Sequence, residues 1–151
     1  MKHGMIPFFI PHVGCPHVCT FCNQSRITET VGIGHLTPEY IASTIKDYVG
    51  DSKNDKFWEV CFYGGSFSAI DQKLQKQLLK PAYEALQSGL IDSIRCSTRP
   101  DAVSDEQLEL LCSLGMKTIE LGVQSMDDTV LSLAKRGHTS DDVKLAVKQL
   151  R

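Results

Sequence analysis

The sequence predicts an α/β fold of parallel strands joined by helical crossovers, and three observations predict it. Short apolar or β-branched runs alternate with amphipathic helical segments four times over. Glycine, proline and capping residues punctuate the junctions between them. The composition, 42% hydrophobic and 23% charged over 151 residues, is that of one globular domain with a real core. Such alternation implies right-handed crossovers and a sheet that is open or barrel-like. Four strand–helix units are too few to close a barrel, and the chain stops at Arg151 inside an amphipathic segment. It therefore reads as a fragment, residues 1–151 forming one domain whose fourth strand is a bare edge.

Each element has its own signal. Ile6 to Pro11 is a short apolar run, suited to a buried first strand, and a loop rich in Cys, Gly, Pro and His follows. Thr37-Pro38-Glu39 opens a helix with a cap, a proline at its first position and an acid in its first turn. Ile41, Ile45, Tyr48 and Val49 share one face of it, and Gly50 ends it. Asp51 to Lys56 is a polar loop, and Phe57 to Tyr63 is the second strand, broken by Gly64-Gly65-Ser66. The next helix runs from about Asp71 to Ser88 on a stripe of Leu74, Leu78, Ala82 and Ala85, with Pro81 expected to kink it.

Ser93 to Thr98 is the third strand, ended by Arg99-Pro100-Asp101. Ser104 caps a helix carrying Leu108, Leu111 and Cys112. Lys117 to Gln124 is the fourth strand, Asp127 to Lys135 is helical, and Ser140 caps a last helix bearing Val143, Ala146, Val147 and Leu150. Helices should cover one face of the sheet, leaving the other inward. In the fourth strand Glu120, Gly122 and Gln124 oppose Ile119, Leu121 and Val123; in the third Arg95, Ser97 and Arg99 oppose Ile94, Cys96 and Thr98. A polar inner face suggests a lumen that holds a ligand.

Charge excludes some functions. Sixteen Lys and Arg against eighteen Asp and Glu give a formal charge of −2, so no extended basic surface for nucleic acid exists. No apolar stretch is long enough to span a membrane, and the N-terminus lacks the pattern of a signal peptide. The expected location is cytoplasmic.

Six cysteines divide unevenly. Cys61, Cys96 and Cys112 fall in strands or a helix stripe, where a free cysteine is ordinarily a small buried hydrophobe. Cys15, Cys19 and Cys22 follow a C-x3-C-x2-C pattern on the loop after the first strand. Neighbours this close are poor disulfide partners. A zinc site needs a fourth ligand, which His12 or His17 can supply, and this alternative makes the chain a non-catalytic zinc-binding module for protein or RNA interaction. An iron–sulfur cluster is held by thiolates, and three of them leave one iron open for chemistry; the residues favour this reading.

Cys15, Cys19 and Cys22, with Phe21 as the aromatic before the last, resemble the signature of radical S-adenosylmethionine enzymes. The stretches Phe62-Tyr63-Gly64-Gly65-Ser66-Phe67, Ser97-Thr98-Arg99-Pro100-Asp101, Glu120-Leu121-Gly122-Val123-Gln124-Ser125 and Lys135-Arg136-Gly137-His138 resemble its Elongator catalytic subunit-like and coproporphyrinogen oxidase-like branch. The resemblance implies a partial TIM-like barrel with about four of an expected six units present. It implies a 4Fe-4S cluster on the three cysteines and S-adenosylmethionine on its open iron, cleaved to a 5′-deoxyadenosyl radical that takes hydrogen from substrate. By the same resemblance Phe21 lies near the adenine, and Gly64, Gly65 and Ser66 meet the methionyl end. Arg99 is the candidate for the carboxylate, and Glu120 and Gln124 for the ribose hydroxyls or the methionyl group. A flavodoxin or ferredoxin would donate the electron. Transfer RNA enters as a candidate substrate by resemblance only.

Overall fold

The computed structural model of the chain describes residues 2–10, 15–22 and 33–151. Among the described residues four parallel strands, β1 (Lys2–Ile10), β2 (Lys56–Gly64), β3 (Ser93–Thr98) and β4 (Met116–Leu121), lie side by side in sequence order. Five α-helices accompany them there: α1 (Pro38–Val49), α2 (Gln72–Gln87), α3 (Asp105–Ser113), α4 (Asp128–Leu133) and α5 (Ser140–Gln149). The order β1-β2-β3-β4 is what successive crossovers of one hand produce.

β1 starts four residues before the apolar run that marks it in the sequence. Its register with β2 runs from Lys2 opposite Lys56 to Ile10 opposite Gly64, so the partner strand supplies hydrogen bonds where the hydrophobic signal is weak. Burial alternates strictly from Gly4 onward: Gly4, Ile6, Phe8 and Ile10 are buried, and Met5, Pro7 and Phe9 between them are exposed. The buried set joins Trp58, Val60 and Phe62 of β2 and Ile94 and Cys96 of β3 under Ile41, Ile45, Leu78, Leu79, Ala82 and Leu111 of the helices. Emptying one such site, as in Leu78→Ala, costs about 2–5 kcal/mol.

The helix starts follow their caps. Thr37 Oγ1 accepts from Tyr40 N, Asp71 from Lys73 N and Leu74 N, Ser104 from Gln107 N, and Asp127 from Thr129 N and Val130 N. Other expectations need correction. The stripe of α1 is Ile41, Ile45 and Val49, and Tyr48 is exposed, because a four-residue repeat places residue 48 off the buried row. Cys112 is likewise exposed: α3 seats Leu111 in the core, with Leu108 and Leu114 half-buried on the same row. Cys61 and Cys96 are buried as expected.

Residues 50–55 form a 3-10 turn rather than an open loop. α2 runs unbroken through Pro81. β4 ends at Leu121, and Gln124 has a positive φ of 70°. Thr139, not Ser140, caps α5, through a reciprocal pair in which Thr139 Oγ1 accepts from Asp142 N and Asp142 accepts from Thr139 N. Ser140 instead ties α5 to α4, donating from its backbone N to Asp128 Oδ1 at 2.7 Å.

Candidate functional site

The site lies at the C-terminal ends of the strands. A cavity of about 260 Å³ is lined there by Cys15, Cys19 and Cys22, by Phe21, by the Gly64-Gly65-Ser66 turn after β2, and by Ser97, Arg99, Gln124 and Arg136. Nine of the ten site residues expected from the sequence therefore face one space: the three cysteines, Phe21, Gly64, Gly65, Ser66, Arg99 and Gln124. Glu120 is the one that does not. The ends of parallel strands gather loops that are far apart in sequence, which is why such loops build sites.

The glycine turn is shaped by steric necessity. Gly64 sits at φ 110°, and a Cβ there would lie 2.5 Å from the Ile10 carbonyl oxygen. That same carbonyl accepts from Gly65 N at 2.8 Å, so the end of β1 and the turn after β2 are stitched together. Ser66, buried, has its Oγ 3.5 Å from Cys15 Sγ.

The cysteine loop is held from the other side by the segment after α4. Thr20 N donates to the Ala134 carbonyl at 3.1 Å. Arg136 Nη1 donates to Cys19 Sγ at 3.3 Å, its Nη2 donates to the Gly122 carbonyl, and its guanidinium lies 5.9 Å over the Phe21 ring. Gly137 backs onto the His17 ring, where a Cβ would be 2.2 Å from the nearest ring carbon. Cys22 N donates to the Cys19 carbonyl at 3.1 Å, closing a tight turn. His12, Gly14 and Asn23 lie outside the described residues.

Arg99 meets a carboxylate, but one of this chain. Its Nε and Nη2 donate to the two oxygens of Asp101 at 2.9 and 3.0 Å, and Nη2 also donates to the Arg136 carbonyl. The guanidinium with a buried, unpartnered nitrogen at this cavity belongs to Arg136, through Nε. In the sequence Arg136 stands out only within a resemblance. Its signal, a cation in a short Lys-Arg-Gly-His run just past α4, acquires meaning only once that run is folded onto the cysteine loop. His138, buried beside it, sits 3.2 Å from the Val123 carbonyl through Nε2. Burial, and then the Arg136 charge, push its pKa down, so it is neutral at pH 7.

Glu120 lies with Arg95 and Tyr63 on the polar face of the sheet. Arg95 pairs with it through Nη1 and, 2.8 Å from Nε, with the buried carboxylate of Glu59. Tyr63 Oη lies 3.5 Å from Glu120, and His3 Nε2 lies 3.5 Å from Glu59. Burial pushes the Tyr63 phenol up to about 12, and the bond to Glu120 holds the Arg95 charge on firmly. The polar face is thus present, with one guanidinium bridging two carboxylates across three strands.

Comparison with known proteins agrees with this geometry. The profile of the Radical SAM superfamily matches residues 9–151. The chain belongs to the radical SAM superfamily. Its sequence is 26% identical over 144 residues to the heme chaperone HemW of Lactococcus lactis, covering 95% of this chain and 36% of that protein. It is 31% identical over 110 residues to a tRNA uridine(34) acetyltransferase of Dehalococcoides mccartyi, covering 62% of this chain and 24% of that one. The archaeal Methanocaldococcus infernus Elp3 with an N-terminal deletion shares its fold at a TM-score of 0.63 and 20% identity, over 97% of this chain and 35% of that chain. The radical SAM chain therefore spans well under half the length of these relatives, and its four parallel units are part of the superfamily's TIM-like barrel.

Radical SAM proteins use a 4Fe-4S cluster and S-adenosylmethionine. The residues present fit that pair. The donor set is three thiols on one loop against one cavity, with an arginine donating to one sulfur and a Cβ-free turn opposite. Among the described residues no three His, Cys, Asp or Glu side chains converge as the ligands of a single ion must. Cluster thiolates bind different irons, so they need not converge on one point. Among the described residues no helix is long and apolar enough to cross a membrane.

Proposed function

We propose that this radical SAM chain, as the N-terminal portion of a radical SAM core domain, binds the cluster and S-adenosylmethionine for a hydrogen-abstraction enzyme. One observation carries the reading: Cys15, Cys19, Cys22, Gly64, Gly65, Ser66 and Gln124, from three separate strand ends, line one cavity. When bound, the cofactor pair would supply one-electron radical chemistry, and the chain's residues would bind it, orient it and exclude competing reactions.

In this reading Cys15, Cys19 and Cys22 would hold the cluster, and Phe21, half-exposed at the rim, would lie near the adenine. Gly64, Gly65 and Ser66 let backbone approach the methionyl group. Arg136, with Nε unpartnered, is better placed than Arg99 for the methionyl carboxylate, because Asp101 already occupies Arg99. Gln124 would take the ribose hydroxyls, and Glu120 would support the site through Arg95 and Tyr63.

The electron comes from a one-electron donor such as a flavodoxin or ferredoxin. Transfer RNA is the candidate substrate that the acetyltransferase relatives suggest; a formal charge of −2 supplies no basic surface in support.

Anaerobic reconstitution of the 151-residue chain with iron and sulfide tests the reading. The expected product is brown and, once reduced, gives an electron paramagnetic resonance signal that S-adenosylmethionine alters; Cys19→Ser abolishes both. A colourless protein that retains stoichiometric zinc after anaerobic purification would establish the zinc module instead.

A further inference from the structure

A line of polar contacts, buried from Arg99 onward to Cys19, joins the turn after β3 to a cysteine of the loop. Asp101 grips the Arg99 guanidinium through two parallel bonds of 2.9 and 3.0 Å. Arg99, only 4% exposed, passes Nη2 to the backbone carbonyl of Arg136. Arg136, only 7% exposed, then donates from Nη1 to Cys19 Sγ at 3.3 Å and from Nη2 to the Gly122 carbonyl. Arg99 makes no contact with a cysteine in this line, so any influence it has on Cys19 travels through residue 136. The planar guanidinium fork makes this link possible, since two donors satisfy one carboxylate while Nη2 reaches a carbonyl as well.

A cation and an N–H donor beside a ligand sulfur both favour the more negative state of an iron–sulfur cluster, and so raise its reduction potential. We propose that Arg99, clamped by Asp101, is a positioning residue that holds Arg136 against Cys19 and thereby raises the potential of the cluster at Cys15, Cys19 and Cys22. The inference rests on the cluster reading of the site. It adds a second layer to it, in which the Thr98-Arg99-Pro100-Asp101 turn acts on the electron-transfer step without touching a ligand.

The test is a redox titration of the anaerobically reconstituted 151-residue chain, followed by electron paramagnetic resonance of the reduced cluster, with circular dichroism as the check on folding. Arg136→Met is expected to move the midpoint to lower potential and to alter the g-values at unchanged iron content. Arg136→Lys, which keeps the charge, recovers part of the shift. Arg99→Lys keeps a cation for Asp101 but loses the planar fork that spans the carboxylate and the Arg136 carbonyl together, and moves the midpoint in the same direction by less. The double variant Arg99→Lys/Arg136→Met falls no further than Arg136→Met alone, because the two act as one unit. If Arg99→Lys does not fold, Asp101→Asn serves in its place.

A midpoint that Arg99→Lys or Asp101→Asn leaves unmoved while Arg136→Met shifts it overturns the positioning role, and so do additive shifts. A midpoint that Arg136→Met leaves unmoved overturns the coupling to Cys19. Failure of the unsubstituted chain to assemble any cluster overturns the cofactor reading itself, which keeps the two failures distinct.

Discussion

At the scale of single residues, Gly64 and His138 have the most constrained surroundings. A side chain at Gly64 meets the Ile10 carbonyl at 2.5 Å in a backbone conformation that L residues rarely adopt. Gly64→Ala is therefore expected to cost on the order of 1–3 kcal/mol and to pull the turn away from β1; a fall in thermal midpoint together with weaker S-adenosylmethionine binding by calorimetry would show both. His138 carries a pH prediction. Its folded pKa lies below its unfolded value, so the unfolded chain binds the extra proton first. The stability it contributes is present above about pH 6.5, the ordinary histidine value, and is lost as the pH falls below it. The thermal midpoint should drop on acidification through that range, and His138→Gln should flatten the drop; equal slopes for both proteins would sink the assignment.

The roles of these residues were unequally legible in the sequence. The cysteine spacing was legible because ligation needs thiols at short offsets along one loop. Gly64 and Gly65 were legible because a paired glycine after a run of aromatic and β-branched residues breaks a strand. Arg99 and Arg136 exchange their apparent availability, because a guanidinium goes to whichever carboxylate folding places beside it, and Asp101 lies two residues away from Arg99.

At the scale of elements, capping decides where helices begin. Thr139→Ala removes the hydroxyl half of the reciprocal cap on α5 and is expected to cost about 0.5–2 kcal/mol, read as a lower denaturant midpoint at unchanged slope. Ser140→Ala should instead leave the start of α5 intact and loosen its side-chain tie to Asp128, a smaller effect. The sequence pointed to Ser140 as the cap; Asp142 selected Thr139, since an acid three residues on completes the reciprocal pair from there. The exposed Tyr48 and Cys112 carry a similar lesson. A helix has one buried row, and a hydrophobic residue beside that row is left in solvent unless a second layer covers it.

At the scale of the whole molecule, the inner sheet face links β2, β3 and β4 through Arg95. Glu59 is nearly inaccessible, so Arg95→Met leaves a buried carboxylate without its cation. The expected cost is about 3–5 kcal/mol, with folding restored in part by Glu59→Gln in the same chain; chemical denaturation of the single and double variants checks it. The burial that makes this pairing tight is a property of the sheet, not of any one strand.

The sequence by itself determined the local chemistry: four strand–helix units, the cysteine loop, the glycine turn and the helix caps at Thr37 and Ser104, all written within a few residues of one another. Only the tertiary structure decided which long-range partner each charge takes. Arg95 joins Glu59 to Glu120, Arg99 spends its donors on Asp101 and the Arg136 carbonyl, and Arg136 reaches Cys19 across 117 positions of chain. The reason is physical. A periodic pattern fixes which face a side chain occupies, whereas an ion pair needs two groups within about 4 Å, and that distance is set by sheet register and loop closure rather than by neighbours in sequence.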